Sequence, residues 1–352
     1  MTTRAQGVIA RWADRLALPR GAPHISLGEG GTPCVESLTI GPSLGLASLH
    51  FKLEGLNPSG SFKDRGMVVA VAAALHEGSR AIICASTGNT SASAAAYGAR
   101  FGMRTVVVVP HGHIASGKLV QARVHGATVV TINGGFDTAL RIVRELCEHH
   151  QVTLVNSVNP NRIEGQKTAA FELVEELGDA PDVLALPVGN AGNITAYWRG
   201  FREEHRDGRA SRLPRMFGGQ AAGAAPLVLG RPVDDPQTVA TAIRIGNPAS
   251  WQGAIDARDQ SEGMIASVGD DTILDAQRRL ASLEGIFCEP ASAAALAVLE
   301  RAVAEGAVAP GTHAVCVLTG NGLKDPGAVE AAFTPILEIP ADASALARAI
   351  EV

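Results

Sequence analysis

The sequence predicts an α/β protein with two lobes, each an open twisted sheet with helices on both faces. Short apolar runs of strand length alternate with longer helical runs along most of the chain, which is typical of parallel βαβ units. The chain has 352 residues, more than one small core requires, and the alternating elements fall into two series. A cleft between two lobes is therefore expected.

The first series of elements occupies the N-terminal half. A helix at 7–18 and a Pro/Gly-rich passage precede a strand at 50–54, which leads through a loop into a helix at 67–75. Apolar runs then predict strands at 81–85, 105–109, 128–132 and 152–155, separated by helices at 88–101, 119–125 and 136–149. This alternation indicates a parallel sheet covered by helices.

The second series starts near residue 164 and contains more prolines. It predicts helices at 164–177, 194–204, 270–283, 291–305 and 341–352, with strands at 183–188, 214–218 and 313–318. We divide the chain into an N-terminal segment at 1–55 that joins the large domain, a small mobile domain at 56–150, and the large domain at 151–352.

Composition argues against several classes of function. The chain is 46% hydrophobic and 18% charged, which is typical of a packed globule, and its formal charge of −5 offers no basic surface for nucleic acid. No apolar run approaches the ~20 residues that span a bilayer, and 1–18 lacks the apolar core of a signal peptide. The cysteines form no C-x-x-C pair and predict neither a disulfide framework nor a metal site: Cys34, Cys84, Cys147, Cys288 and Cys316. A cytoplasmic protein without metal or membrane partner is expected.

The segment Pro58–Met67 places one lysine, Lys63, between two glycines at the start of a helix. Ser61 is expected to cap that helix. The unpaired N–H groups and the dipole of a helix start disfavour a second positive charge, so the amine of Lys63 is more easily held neutral. A neutral amine is a nucleophile toward aldehydes. Taken alone, however, this pattern is explained more simply by a solvated surface lysine than by a reactive one.

Two further turns join a predicted strand to a predicted helix. Ser86–Ser91 contains hydroxyl and amide side chains beyond what one helix cap requires, and predicts a cradle for an anion or carboxylate. Gly189–Asn193 is glycine-rich, and its strand–loop–helix setting favours phosphate binding. It does not match G-x-G-x-x-G, which argues against a dinucleotide site.

The segment Gly112–Leu119 fits the P-loop pattern except at its last position. Leu119 has no hydroxyl with which to bind Mg²⁺, so we interpret Gly117-Lys118 as a helix start. His111 and His113 have no carboxylate or cysteine nearby in the sequence that could complete a metal site, so we interpret them as loop residues.

Three other polar sites follow predicted strands or open helices. Asn156–Arg162 contains groups that suit an oxyanion, although an ordinary Asn/Pro turn with an exposed arginine explains it equally well. Thr319 stands at the end of the last core strand, where α/β folds place ligand contacts. Glu289 opens a helix and is either an acid/base group or a charge favoured by the helix start.

The motifs Ser61–Gly66, Ser86–Thr90, Gly189–Asn193 and Thr319–Asp325 occur in this order. In this respect the chain, from about 30 to 325, resembles the fold-type II (tryptophan synthase β-like) pyridoxal-phosphate enzymes, and within them the threonine synthases. The resemblance implies the two-lobed fold of that family, with the large domain holding pyridoxal 5′-phosphate, and a homodimer.

The resemblance also implies the roles of individual residues. Lys63 would form a Schiff base with the cofactor aldehyde and shuttle protons. Asn89 would contact the ring hydroxyl and Thr319 the ring nitrogen, where a neutral hydroxyl tunes the ring as an electron sink. The implied cofactor-binding set is Phe62, Lys63, Asn89, Gly189, Asn190, Ala191, Gly192, Asn193 and Thr319, and the implied substrate-binding set is Ser86, Thr87, Thr90, Asn156, Ser157 and Arg162.

The substrate implied by the resemblance is O-phospho-L-homoserine. Its α-carboxylate would lie against Ser86–Thr90, and its phosphate against Ser86, Asn156 and Arg162. Deprotonation at Cα and Cβ, loss of the γ-phosphate and addition of water at Cβ would give L-threonine and phosphate, the last step of threonine biosynthesis.

Two alternatives stay open at this point. Amino-acid dehydratases resemble the chain around Lys63, but they typically have Ser-Gly-Asn-His where this sequence has Thr87–Thr90, and a run of glycines in place of Gly189–Asn193. Cysteine synthases use a Gly-Thr-Gly-Gly-Thr loop that is absent here. The alternative from another class is a cofactor- or nucleotide-binding regulator without turnover.

Overall fold

The computed structural model describes residues 6–111, 118–327, 336–341 and 343–350. The strands are Cys34–Glu36 (β1), Ser48–Leu53 (β2), Ala81–Ala85 (β3), Arg104–Pro110 (β4), Thr128–Ile132 (β5), Val152–Leu154 (β6), Val183–Pro187 (β7), Arg215–Ala221 (β8), Met264–Val268 (β9) and His313–Leu318 (β10). No helix within the described ranges has the length and apolar character needed to span a membrane.

The helices between these strands vary from one turn to five. They are Gly7–Trp12 (α1), Ile40–Ser43 (α2), Lys63–His76 (α3), Asn89–Arg100 (α4), Lys118–Val124 (α5), Phe136–His149 (α6), Pro160–Leu177 (α7), Gly192–Arg206 (α8), Pro226–Leu229 (α9), Trp251–Gln260 (α10), Asp270–Glu284 (α11), Pro290–Ala304 (α12) and Ala343–Ala349 (α13).

The strands form two sheets, as the two series predict. The six-stranded sheet has the order β1-β2-β10-β7-β8-β9, and all its pairs are parallel except β1 with β2. The four-stranded sheet has the order β5-β4-β3-β6 and is parallel throughout. We call the six-stranded sheet with its packed helices the large lobe, and the four-stranded sheet with its helices the small lobe. The predicted α/β fold with two sheets is confirmed.

Two helices, α12 and α3, organise the packing of the lobes. The alanine-rich α12 is buried over most of its length and packs against β7, β8 and β10, so it forms the centre of the large-lobe core. Helix α3 packs against α7 on one side and α4 on the other, which joins the two lobes. Its first residue is Lys63.

Several predicted bounds agree with the structure, and others do not. Strands 81–85, 128–132 and 313–318 and helix 136–149 have the predicted limits, whereas the first helix ends at Trp12. Strands β1 and β9 and helix α10 were missed, because β1 is short and largely exposed and β9 lies at a sheet edge with mixed exposure. Strand β6 pairs with β3 in the small lobe although it follows residue 150, and the predicted domain limits stay a prediction.

Candidate active site

A cavity of about 1090 Å³ lies between the two lobes, at the carboxyl ends of the parallel strands. The small lobe contributes the turn after β3 and the loop after β6, and the large lobe contributes the turn after β7 and the residues after β10. The cavity therefore occupies the position where open α/β sheets bind ligands. It is lined by all the predicted site residues except Arg162.

Lys63 lines the cavity from the first turn of α3, with its Nζ 4.2 Å from the centre of the Phe62 ring. Burial and, after it, the positive charge of Arg162 lower the pKa of the amine to about 7, and Glu289 partly opposes both effects. The predicted neutral amine is therefore supported, but by burial and a nearby cation rather than by the helix start alone. The prediction that Ser61 caps the helix is wrong: Phe62 is the N-cap, and the buried Ser61 Oγ has no hydrogen-bond partner.

Arg162 is fully buried behind Lys63 and does not line the cavity. Its Nη1 donates to the Val155 carbonyl at 2.8 Å, and its Nη2 donates to the Lys63 carbonyl at 3.3 Å. Gly66 makes room for this arginine, because a Cβ at that position would come within 2.8 Å of its Nε. In this arrangement Arg162 acts on the Lys63 amine, and the predicted direct contact with a substrate phosphate has no geometric support.

The turn between β7 and α8 has the geometry of a phosphate cradle. Ala191 caps the 15-residue helix α8 in the left-handed conformation, with φ 63°, and Asn190 accepts a hydrogen bond from the Ser250 N–H at 3.1 Å through its carbonyl. A Cβ on Gly189 would come within 3.0 Å of the Ile243 Cα, so only glycine fits easily. Asn193 is nearly buried, and its Nδ2 has no hydrogen-bond partner. A donor without a partner at a helix start indicates a site for an anion.

Thr319 faces the cavity directly after β10 and is held by a buried serine on α12. Its Oγ1 lies 2.9 Å from Ser292 Oγ, which also accepts a hydrogen bond from the Gly320 N–H at 2.9 Å. Ser292 Oγ also lies 3.4 Å from the Gly320 carbonyl, to which it can donate, so either hydroxyl can be the donor between Ser292 and Thr319. This contact holds the Thr319 hydroxyl in place at the cavity wall.

Asn89 begins α4 at the small-lobe side of the cavity. Its Nδ2 donates to both carboxylate oxygens of Glu289, at 3.0 and 3.1 Å, across 200 positions of sequence. Glu289 is the N-cap of α12 and is only 2% exposed. The sequence identified both residues but not their contact.

The predicted carboxylate and phosphate groups lie together on the small-lobe wall: Ser86, Thr87, Thr90, Asn156 and Ser157. The amide of Asn156 is occupied, because it accepts from the Ala85 N–H and donates to the Ala85 carbonyl, each at 2.8 Å. Ser86 Oγ accepts a 3.2 Å hydrogen bond from the Gly88 N–H and keeps its own proton. Hydroxyls therefore provide the available donors on this wall.

Sequence reasoning missed the segment 232–247, which closes the cavity on the large-lobe side. Within it, Thr241 Oγ1 donates to Asp325 at 2.6 Å, and Arg244 lines the cavity as an exposed guanidinium. Apart from its prolines, this segment has irregular structure and no motif, so no local signal marked it. Residues 112–117 of the P-loop-like segment, which include His113, lie outside the described residues, and the described part of α5, Lys118–Val124, agrees within one residue with the predicted helix 119–125.

Comparisons with known proteins agree on one family of enzymes. The family model described as pyridoxal-phosphate dependent enzyme matches residues 25–320. The chain is 55% identical to a threonine synthase of Mycobacterium tuberculosis H37Rv, over 96% of this chain and 93% of that protein. It is 56% identical to a threonine synthase of Halalkalibacterium halodurans, over 91% and 90%. A solved structure of maize serine racemase matches with a TM-score of 0.71 at 20% identity, covering 91% of each chain, which bears on the fold alone.

Proposed function

We propose that this chain, which belongs to the pyridoxal-phosphate-dependent enzymes and within them to the threonine synthases, converts O-phospho-L-homoserine and water to L-threonine and phosphate. The observation that carries the proposal is its identity of more than half to threonine synthases over nearly the whole chain. The cavity supports it with a set of groups suited to a cofactor and an anionic amino acid.

The residues of the cavity fit pyridoxal 5′-phosphate. The Nδ2 of Asn193, which has no hydrogen-bond partner, and the helix start at Gly192 suit its phosphate, and Thr319 and Asn89 at the cavity wall would bind its ring. When bound, the cofactor supplies the electron-withdrawing ring that makes cleavage of carbon–hydrogen bonds of the amino acid feasible.

Lys63 is the group that holds and moves protons. Its Nζ has a pKa near 7, so an appreciable fraction of the amine is neutral at physiological pH and can accept a proton at Nζ and later return it. The same neutral amine would be the group that holds the cofactor, because a neutral amine is a nucleophile. Burial and the positive charge of Arg162 behind it keep the amine in this state.

The small-lobe wall would bind the substrate. The hydroxyls of Ser86, Thr87 and Thr90 suit the α-carboxylate, and Ser86 and Ser157 suit the phosphate. Asn156 would mainly hold the wall in place, since its amide binds the backbone of Ala85. Loss of the γ-phosphate and addition of water at Cβ balance the reaction, with phosphate as the second product.

Location and assembly form part of the proposal. We infer a cytoplasmic enzyme without nucleic-acid or membrane partner, which acts as a homodimer. The dehydratase alternative uses the same cofactor and lysine, so turnover assays must separate it. The regulator without turnover is set aside, because the chain belongs to an enzyme family.

A phosphate-release assay with O-phospho-L-homoserine and the cofactor tests the proposal, with deamination of threonine and serine measured alongside. We expect phosphate and threonine in equal amounts and much slower deamination. Lys63→Ala should lose turnover and the visible absorption band that borohydride abolishes. Arg141→Ala, a change at an exposed side chain on α6, is the matched control and should retain both. Deamination faster than phosphate release, or full threonine formation by Lys63→Ala, would contradict the proposal.

A further inference from the structure

Glu289 and Asn89 form a contact between the lobes at the wall of the cavity. Asn89 is the first residue of α4, which follows strand β3 of the small lobe, and Glu289 is the N-cap of α12 in the large lobe. One amide nitrogen donates to both carboxylate oxygens, at 3.0 and 3.1 Å. Both residues line the cavity and are more than nine-tenths buried.

The chemistry of the pair fixes how the amide is turned. A carboxylate accepts hydrogen bonds, so it must face the NH₂ group of Asn89 and not the amide oxygen. Because the carboxylate holds the NH₂ group of Asn89, the contact also fixes the direction in which the amide oxygen of Asn89 points. A neutral side chain in place of Glu289 would leave either orientation of the amide open.

The surrounding backbone accommodates the carboxylate specifically. A Cβ on Gly320 would come within 2.3 Å of Glu289 Oε1, so any side chain at this position would have to displace the carboxylate. The Glu289 N–H donates to the Gly320 carbonyl at 3.0 Å, which fixes the residue against the end of β10. The start of the 15-residue helix α12 also favours a negative charge here.

We propose that Glu289 is a positioning residue, which orients the Asn89 amide for the cofactor and ties the small lobe to the large lobe at the cavity. In this role Glu289 acts through Asn89, and its electrostatic effect on Lys63 is a separate one. Removing it frees the amide to rotate and loosens the first turn of α4 against the large lobe.

The test is a double-mutant cycle on cofactor affinity, measured by spectroscopic titration of the full-length apoprotein with pyridoxal 5′-phosphate. Glu289→Ala should weaken cofactor binding about tenfold to a hundredfold, the range for a lost hydrogen bond to a charged group. In the Asn89→Ala background the same change should cause much less weakening, because the part of its effect that passes through Asn89 is already lost. Amide hydrogen exchange at 88–91 should also become faster in Glu289→Ala.

Two further variants keep the outcome decisive. Glu289→Gln retains the size of the side chain and one acceptor oxygen, so it should lose less cofactor affinity than Glu289→Ala. It also provides the measurement if Glu289→Ala folds poorly. Glu284→Ala removes another carboxylate that accepts several hydrogen bonds, from Ser37 Oγ and the Ile40 N–H among others, and should leave cofactor affinity unchanged. Equal weakening in both Asn89 backgrounds, or unchanged affinity in Glu289→Ala and Glu289→Gln, would overturn the proposal. Because the titration measures the cofactor, its result does not depend on the proposed substrate.

Discussion

Lys63 and Arg65 lie two residues apart on α3, and burial has opposite consequences for them. Burial and, after it, the positive charge of Arg162 lower the pKa of the Lys63 amine to about 7. Arg65 is fully buried, and burial alone would lower its pKa, but Glu172 and Glu54 raise it well above the usual value. The same desolvation thus gives a reactive neutral amine in one place and a permanent cation in the other.

The partners of Arg65 explain the difference. Its guanidinium forms two hydrogen bonds of 2.7 Å to each carboxylate, those of Glu54 and Glu172. Lys52 adds an ion pair of 3.2 Å with Glu172, and Thr32 contacts both Arg65 and Glu54. We call these five residues the Arg65 network. It fixes α3 against β2 and α7, so Arg65 anchors the same first turn of the helix from which Lys63 faces the cavity.

The largest expected change in the free energy of unfolding comes from removing Arg65 from the Arg65 network. Arg65→Met would leave two buried carboxylates without their main partner, and the free energy of unfolding should fall by about 3–5 kcal/mol. Urea unfolding of the full chain measures this change. Arg278→Ala, which removes an exposed ion pair with Asp275, is the control, with an expected loss of at most about 0.5 kcal/mol. A loss below about 1 kcal/mol in Arg65→Met would contradict this account of the network.

The second prediction concerns pH. The pKa of Lys63 is about 7 in the folded chain and 10.5 as the ordinary value, so between these values the unfolded chain holds more protons at this site. The free energy of unfolding of the apoprotein should therefore rise with pH across this window, by about 2–4 kcal/mol relative to Lys63→Met. Below about pH 7 the difference between the two proteins should become constant.

Unfolding of both apoproteins between pH 6 and pH 9.5 provides the measurement. Arg65, whose pKa is raised, remains charged throughout this range and contributes no slope. Parallel stability curves for the wild-type chain and Lys63→Met would mean that the folded lysine titrates as it does in water.

The smallest effect is expected at Gly320. In Gly320→Ala the new methyl group would displace the Glu289 carboxylate, and the stability should fall by about 1–3 kcal/mol. Because Glu289 raises the pKa of Lys63, its displacement should also shift the titration of the amine to lower pH. Gly269→Ala is the matched control, since a Cβ there meets only Thr272 at 3.8 Å. An unchanged lysine titration in Gly320→Ala would show that the two groups are not coupled.

Sequence patterns predicted most of the regular elements, and every predicted site residue except Arg162 lines the cavity. Strands with continuous apolar runs, such as 81–85 and 313–318, were found because buried parallel strands are apolar on both faces. Strand β1 and the segment 232–247 were missed, because short or irregular structure has no period to detect. Ser61 was assigned a cap by residue type, whereas the backbone placed the helix start one residue later.

The sequence by itself determined the alternation of strands and helices, the order of the four motifs and the position of Lys63 at a helix start, because these depend on neighbouring residues. The tertiary structure decided the charge state of Lys63, since Arg162 lies 99 positions away along the chain. It also decided that Asn89 meets Glu289 and that Arg65 meets Glu172. Burial and long-range pairing set these properties, and both arise only when the two lobes pack together.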